Sequence, residues 1–316
     1  MDIVIDILNV VIGFALLLKG ADFFVDGAAA MALKLGIPEI VIGLTIVAFG
    51  TSAPEAAVSI SAGIKGNNGI SIGNVVGSNI MNVLVILGIT SVITIIGVKK
   101  ATVKYDMSFM VFGTILLLLW GRIGGELTRL TGVVFLLCLA GYMVYLSIYA
   151  RRHSDEAEEE IKQVKTWLIP IFIVGGIAAV VFGSNIAVGG ASSIASRMGV
   201  SDRIIGLTIV AFGTSLPELM TSVTAARKGH ADLAIGNIVG SNIFNIFFIL
   251  GITSLIIDLP FKADAVDFTI DTLIALVAAI LLWAFTFKSQ SLKRWHGAVF
   301  LATYVGFFVY LLLGLR

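Results

Sequence analysis

Residues 34–93 of this chain are written a second time at 197–256, with 34 of 60 positions identical. The run IGLTIVAFGTS fills 42–52 and returns letter for letter at 205–215. After one differing residue each copy reaches Pro-Glu, as Pro54-Glu55 and Pro217-Glu218. At an offset of 163 the match extends back to Gly20/Gly183 and Gly27/Gly190 and forward to Trp120/Trp283. After a two-residue slip, Arg129, Gly132 and Phe135 match Arg294, Gly297 and Phe300. The whole first half is duplicated, so the fold must be built from two copies of one unit.

Composition says what that unit lives in. The 316 residues are 58% hydrophobic and 13% charged, with a mean hydropathy of +1.03. Soluble domains carry about 25% charge and could not cover so apolar a surface. Uncharged stretches long enough to cross a bilayer as a helix recur throughout. Ten spans are expected, near 3–31, 37–64, 71–94, 106–121, 127–149, 167–195, 203–226, 232–257, 266–287 and 293–313. The first residues lack the basic region of a signal peptide, so the first span is expected to stay in place. Each half then holds five spans, an odd number, and the second copy must enter the membrane from the opposite side. The reading is an all-α polytopic membrane protein of ten transmembrane helices in two inverted five-helix repeats. Inverted repeats are a transporter architecture with the substrate site between them.

The expected units are 1–150, a charged linker at 151–166, and 167–316. Basic residues set the orientation. With the N-terminus outside, thirteen Lys and Arg fall inside and seven outside, which the positive-inside rule favours. The linker is then cytoplasmic, both termini lie outside, and the expected location is the plasma membrane. Its acidic run reads as a hydrated connector. Lys19, Asp22 and Asp26 read as a locally paired cluster near the inner end of the first span. Cys138, the single cysteine, reads as a small core residue. A net charge of +1 leaves no nucleic-acid footprint.

Ser52-Ala53-Pro54-Glu55 has the pattern of a capping box with Pro in the first turn. It sits in the middle of an apolar span, so a helix must stop and restart inside the membrane. Pro54 offers no N–H to the Gly50 carbonyl, and Gly213 and Pro217 repeat the device. Helices 2 and 7 are therefore expected to be broken. Glu55 and Glu218 become ionisable groups at membrane depth, which mark an ion or substrate path. The following helices carry oxygen donors on one stripe each: Asn74, Ser78 and Asn82, then Asn237, Ser241 and Asn245. Gly73/Gly77 and Gly236/Gly240 allow close helix approach beside them. Two carboxylates, amides, hydroxyls and freed carbonyls make a set of hard oxygen donors, which suits Ca2+. His153, His230 and His296 fall at helix ends, away from this set, which argues against zinc or copper.

These residues resemble the sodium/calcium exchangers of the calcium/cation antiporter superfamily. The paired signatures GTSAPE/GTSLPE and GNVVGSNIMN/GNIVGSNIFN carry the resemblance, which covers the whole chain. It implies a secondary antiporter, not an enzyme, that exchanges Na+ for Ca2+ by alternating access, with Ca2+ extrusion as its direction. No cofactor is implied; Ca2+ and Na+ are cargo, the bilayer is the surroundings, and one chain is expected to work as a monomer. Carried over by motif, Glu55 and Glu218 serve both ions with the carbonyls of Thr51 and Thr214. Ser52, Ser215, Ser78 and Ser241, with the carbonyls of Ala48 and Ala211, serve flanking Na+ positions. The first and sixth spans slide as a gate. Relatives often carry Asp where this chain has Asn245, or at both that position and Asn82. Two Asn here leave two carboxylates and argue against K+ dependence. The linker is too short for the regulatory calcium domains of animal exchangers. The alternative is an H+-coupled antiporter of Ca2+ or another divalent cation. An intramembrane hydrolase finds no Ser/His constellation, and a passive channel has no use for paired inverted breaks.

Overall fold

The computed structural model describes residues 2–153, 164–199, 211–263 and 266–312. The chain is helical almost throughout, because in hydrocarbon each backbone N–H and C=O must be satisfied within its own segment. The first repeat runs through α1 (Asp2–Leu35), α2 (Glu39–Thr51), α3 (Ala53–Ile64), α4 (Asn68–Ile93), α5 (Thr102–Gly124) and α6 (Arg129–Arg152). The second runs through α7 (Ile169–Arg197), α8 (Ala211–Thr214), α9 (Leu216–Arg227), α10 (Ala231–Ile256), α11 (Phe268–Ser289) and α12 (Arg294–Leu312). Among the described residues seven helices are long and apolar enough to cross a membrane, and α2–α3 form an eighth crossing bent by 51°. The α8–α9 pair and α12 complete the ten spans that the sequence implies. The linker residues 154–163 and the first part of the seventh span, 200–210, lie outside the described residues.

One element begins earlier than hydropathy suggests. The fifth helix starts at Thr102 with a π-helical turn through Asp106, residues whose charge hides the turn from a hydropathy reading. Asp106 is buried, and the Tyr142 hydroxyl donates to it at 2.9 Å. Helices α4 and α10 form the centre: 78% and 83% of their apolar windows are buried, against 22–39% for the other single-helix spans. This explains their composition, since a helix surrounded by protein can carry Asn and Ser that lipid would reject.

Short strands show the inversion directly. β1 (Ile96–Gly97), β2 (Glu126–Leu127), β3 (Leu259–Pro260), β4 (Lys262–Ala263), β5 (Val266–Asp267) and β6 (Ser291–Leu292) pair as β1–β6, β2–β3 and β4–β5. Ile96 faces Leu292, and Leu127 faces Leu259. Under the repeat offsets the first pair maps onto the second, residue for residue. The hydrogen bond from Val98 N to Gln290 O maps likewise onto that from Phe261 N to Gly125 O, both 2.9 Å. Gly125 has φ +78 and its counterpart Gln290 has φ +46, so the tight turn survives even where glycine is lost. One helix, α5, separates β1 from β2, so the two ladders lie on opposite faces. Equivalent loops of the two repeats are therefore on opposite sides.

α1 and α7 are the long outer helices, 34 and 29 residues. At 1.5 Å per residue α1 is about 50 Å long, well beyond a hydrocarbon core of about 30 Å. They run antiparallel along a seam of glycines seven residues apart: Gly13, Gly20 and Gly27 against Gly176, Gly183 and Gly190. A methyl group at Gly13 would come within 2.5 Å of the Ala187 nitrogen, and one at Gly190 within 2.6 Å of the Asp6 carbonyl oxygen. Bare backbone on both sides lets the helices touch along their length. Asp22 and Asp26 do not form a local cluster with Lys19. Both meet Lys228 of the second repeat, at 3.2 and 2.7 Å, while Lys19 is exposed.

Candidate ion-binding site

The sequence expects Ser52 to cap α3, and the structure corrects this. Ser52 holds the N-cap position with φ −82 and ψ 6 but makes no capping hydrogen bond from its side chain. Ser215 behaves the same way before α9, with φ −91 and ψ 3. Each hydroxyl is turned across the molecule instead. Ser52 Oγ donates to Glu218 Oε1 at 3.0 Å, and Ser215 Oγ reaches Glu55 Oε1 at 3.5 Å. Pro54 and Pro217, in the first turns, remove an N–H from each break. A buried carboxylate gains more from a hydroxyl than a helix end does, because hydrogen bonds to charged groups are roughly twice as strong as neutral ones.

Glu55 and Glu218 are each 1% exposed. Each sits in the first turn of a helix, α3 or α9, where the helix dipole favours negative charge. They lie close enough to interact electrostatically. Thr214 stands beside Glu55, and Thr51 beside Glu218. Oε2 of both carboxylates is buried without a hydrogen-bond partner. Among the described residues no Lys, Arg or His forms an ion pair with either. Uncompensated buried charge costs several kcal/mol per ion, so the pair must be neutralised, either by protons or by a bound cation.

The neighbouring polar groups divide into two kinds. Asn74 and Asn237 hold helices together: Asn74 donates to Ser59 Oγ at 2.9 Å and to the Glu55 carbonyl at 3.3 Å. Asn237 donates to Ser222 Oγ at 2.9 Å and to the Glu218 carbonyl at 3.4 Å, and accepts from Thr51 Oγ1 at 2.9 Å. The Val47 carbonyl lies 3.1 Å from the same hydroxyl, so the two acceptors share the single Thr51 proton. Asn82 and Asn245 differ, because each keeps a buried, unpartnered Oδ1. Ser241 Oγ is likewise buried and unpartnered, and Ser78 is 4% exposed. Ala48 is buried in the last turns before the first break, and Ala211 opens the short helix before the second.

The fold thus joins Glu55 to Ser215, Glu218 to Ser52, and Asn82 and Asn245 to the opposite repeat. Two residues went unnoticed in the sequence: Asn79 and Asn242, whose side chains bond the amides of Asn245 and Asn82 at 3.0 and 2.9 Å. The signal was present, since Gly-Ser-Asn stands unchanged in both copies. Among the described residues no group of three or more His, Cys, Asp or Glu gathers to hold a metal. What gathers is a pair of carboxylates amid neutral oxygens, a set suited to a hard cation that must also leave.

Comparison with known proteins identifies the family. The chain is 37% identical over 309 residues to the putative antiporter CaxA of Alkalimonas amylolytica, covering 94% of this chain and 96% of that one. It is 34% identical over 351 residues to the sodium/calcium exchanger MaX1 of Methanosarcina acetivorans, covering 98% and 99%. Its structure superposes on that of the sodium-calcium exchanger NCX_Mj, soaked with zero Na+ and Ca2+, with a TM-score of 0.85 at 31% identity over 98% and 99% of the chains. The model of the sodium/calcium exchanger protein family matches residues 6–148 and 168–313, and the chain belongs to that family.

Proposed function

We propose that this membrane exchanger couples Na+ entry to Ca2+ extrusion by alternating access, with both ions bound between the two helix breaks. One observation carries the reading: two buried carboxylates from opposite repeats, each touched by the other repeat's serine and each with an oxygen left over. Two carboxylates balance one divalent ion. Glu55 and Glu218 then hold Ca2+ and Na+ with the carbonyls of Thr51 and Thr214. Ser52, Ser215, Ser78, Ser241 and the Ala48 and Ala211 carbonyls serve Na+, and Asn82 and Asn245 add neutral oxygens. One chain supplies every donor, so the monomer is the working unit. The units 1–150 and 167–316 face each other across the site in the plasma membrane, joined by a cytoplasmic linker at 151–166. The α1–α7 pair slides as the gate.

The test is Ca2+ flux in proteoliposomes carrying, in turn, a Na+, K+ or proton gradient. Na+ alone is expected to drive it. Flux that runs equally on a proton gradient without Na+ would replace this reading with H+ coupling, since the unpartnered carboxylate oxygens can also take protons. A K+ requirement would also overturn it.

A further inference from the structure

Asn79 and Asn242 occupy equivalent positions of α4 and α10, and each reaches the other's backbone. Asn79 Nδ2 donates to the Asn242 carbonyl at 3.2 Å, and Asn242 Nδ2 donates to the Asn79 carbonyl at 3.4 Å. A carbonyl oxygen can only accept, so it must face an amide nitrogen. This fixes which end of each amide points away, and that end is Oδ1. Asn242 Oδ1 then accepts from Asn82 Nδ2 at 2.9 Å, and Asn79 Oδ1 accepts from Asn245 Nδ2 at 3.0 Å. Asn82 and Asn245 have committed nitrogen to these bonds, and what each has left is a bare, buried Oδ1.

We propose that Asn79 and Asn242 are positioning residues that lock the amides of Asn245 and Asn82 so that oxygen, never nitrogen, faces the ion. The proposal rests on the ion site read above. An amide free to rotate could turn its NH2 toward the ion, and that end repels a cation. The backbone supports the same arrangement. Asn82 and Asn245 each open a π-helical stretch, Asn82–Leu87 and Asn245–Leu250, and such insertions re-aim side chains at functional sites. The lock also explains why amides stand at these two positions. An ionised Asp has no N–H for the waiting Oδ1, so Asp at 82 or 245 keeps the bond only when protonated, through its O–H.

Two double-mutant cycles test the proposal by Ca2+ flux in proteoliposomes, reading half-saturating Ca2+ apart from maximal rate. In the first, Asn79→Ala and Asn245→Ala are each expected to raise half-saturating Ca2+ roughly tenfold. Their combination is expected to match Asn245→Ala alone within about twofold, because Asn79 acts only through Asn245. The melting temperature serves as the structural control: each variant must remain folded well above the assay temperature, so that a change in half-saturating Ca2+ does not report unfolding. The Asn242→Ala and Asn82→Ala cycle repeats the test in the other repeat, and serine replaces alanine wherever a variant does not fold. Roughly hundredfold, additive effects on half-saturating Ca2+, or no effect of Asn79→Ala and Asn242→Ala, would overturn the proposal. Exchange that persists in Glu55→Gln would instead reject the site itself. Loss of exchange there, with additive asparagine cycles, would reject the lock alone.

Discussion

Ser52 donates a 3.0 Å hydrogen bond to Glu218, a residue 166 positions away in the opposite repeat. The reciprocal bond from Ser215 to Glu55 is longer, 3.5 Å. The two halves of the site are near copies in sequence but not equal in grip. Hydrogen bonds to charged groups contribute about 1.5–3 kcal/mol when well formed and weaken steeply with length. Ser52→Ala is therefore expected to reduce ion affinity more than Ser215→Ala. Titrating Na+-driven Ca2+ flux in both variants reads the order directly, and equal losses would contradict it.

Removing either carboxylate should cost far more. Glu55→Gln and Glu218→Gln leave one negative charge to balance a divalent ion, and breaking a buried charge pair costs about 2–5 kcal/mol. Half-saturating Ca2+ should rise at least about thirtyfold, with the protein still folded and eluting as the wild type does. Near-normal exchange in either variant would remove that glutamate from the site. Protons compete for the same oxygens, so Ca2+ affinity in the wild type should fall as pH falls. Reading half-saturating Ca2+ across a pH series checks the sign.

The glycine seam gives a stability test with a control on the same helix. A methyl group at Gly183 would lie 2.8 Å from the Gly13 carbonyl oxygen and 2.9 Å from the Leu17 nitrogen, whereas one at Gly175 meets nothing within 4 Å. Overpacking of this kind costs about 1–3 kcal/mol. Gly183→Ala should lower the melting temperature and slow exchange, and Gly175→Ala should do neither. Equal melting temperatures would show that α1 and α7 part more easily than their contacts imply.

Orientation rests on the Lys and Arg bias and is tested by labelling single cysteines in a Cys138→Ala background. A cysteine placed in the 151–165 linker should react with membrane-impermeant reagent only after the cell is opened. Labelling from outside intact cells would reverse the assignment.

The repeat and its odd span count make the architecture legible from the sequence, because duplication is visible at the level of letters. What misled was local grammar. Ser-x-x-Glu reads as a capping box, and a true one forms where Thr128 and Thr131 start α6. At Ser52 the same local option loses to a carboxylate that arrives from the opposite repeat, and no local pattern contains that partner. Asn79 is hidden in the sequence for a related reason. It lies off the Asn74–Ser78–Asn82 stripe, and a stripe describes one helix, whereas Asn79 works on the crossing of two. The π-helical openings at Asn82 and Asn245 have no propensity signal at all. The break at Pro54 was legible because proline acts on its own backbone.

The two equivalent ladders, β1–β6 and β2–β3, lace the turns between α4, α5 and α6 to those between α10, α11 and α12, one lace at each face. Such a frame is braced at both ends against shear, and among the described residues neither α1 nor α7 takes part in a lace. In the proposed cycle, relative motion then falls to the two long rods. Because the laces are copies, the frame itself resists sliding equally in either direction. Any preference for one direction must come from rod-to-frame contacts that lack a copy. The grip of Lys228 on Asp22 and Asp26 is one, since the equivalent positions hold Lys65, Asn185 and Gly189. A salt bridge on one side alone can favour one resting position of the rods over its mirror image, but the direction of net transport is left to the ion gradients.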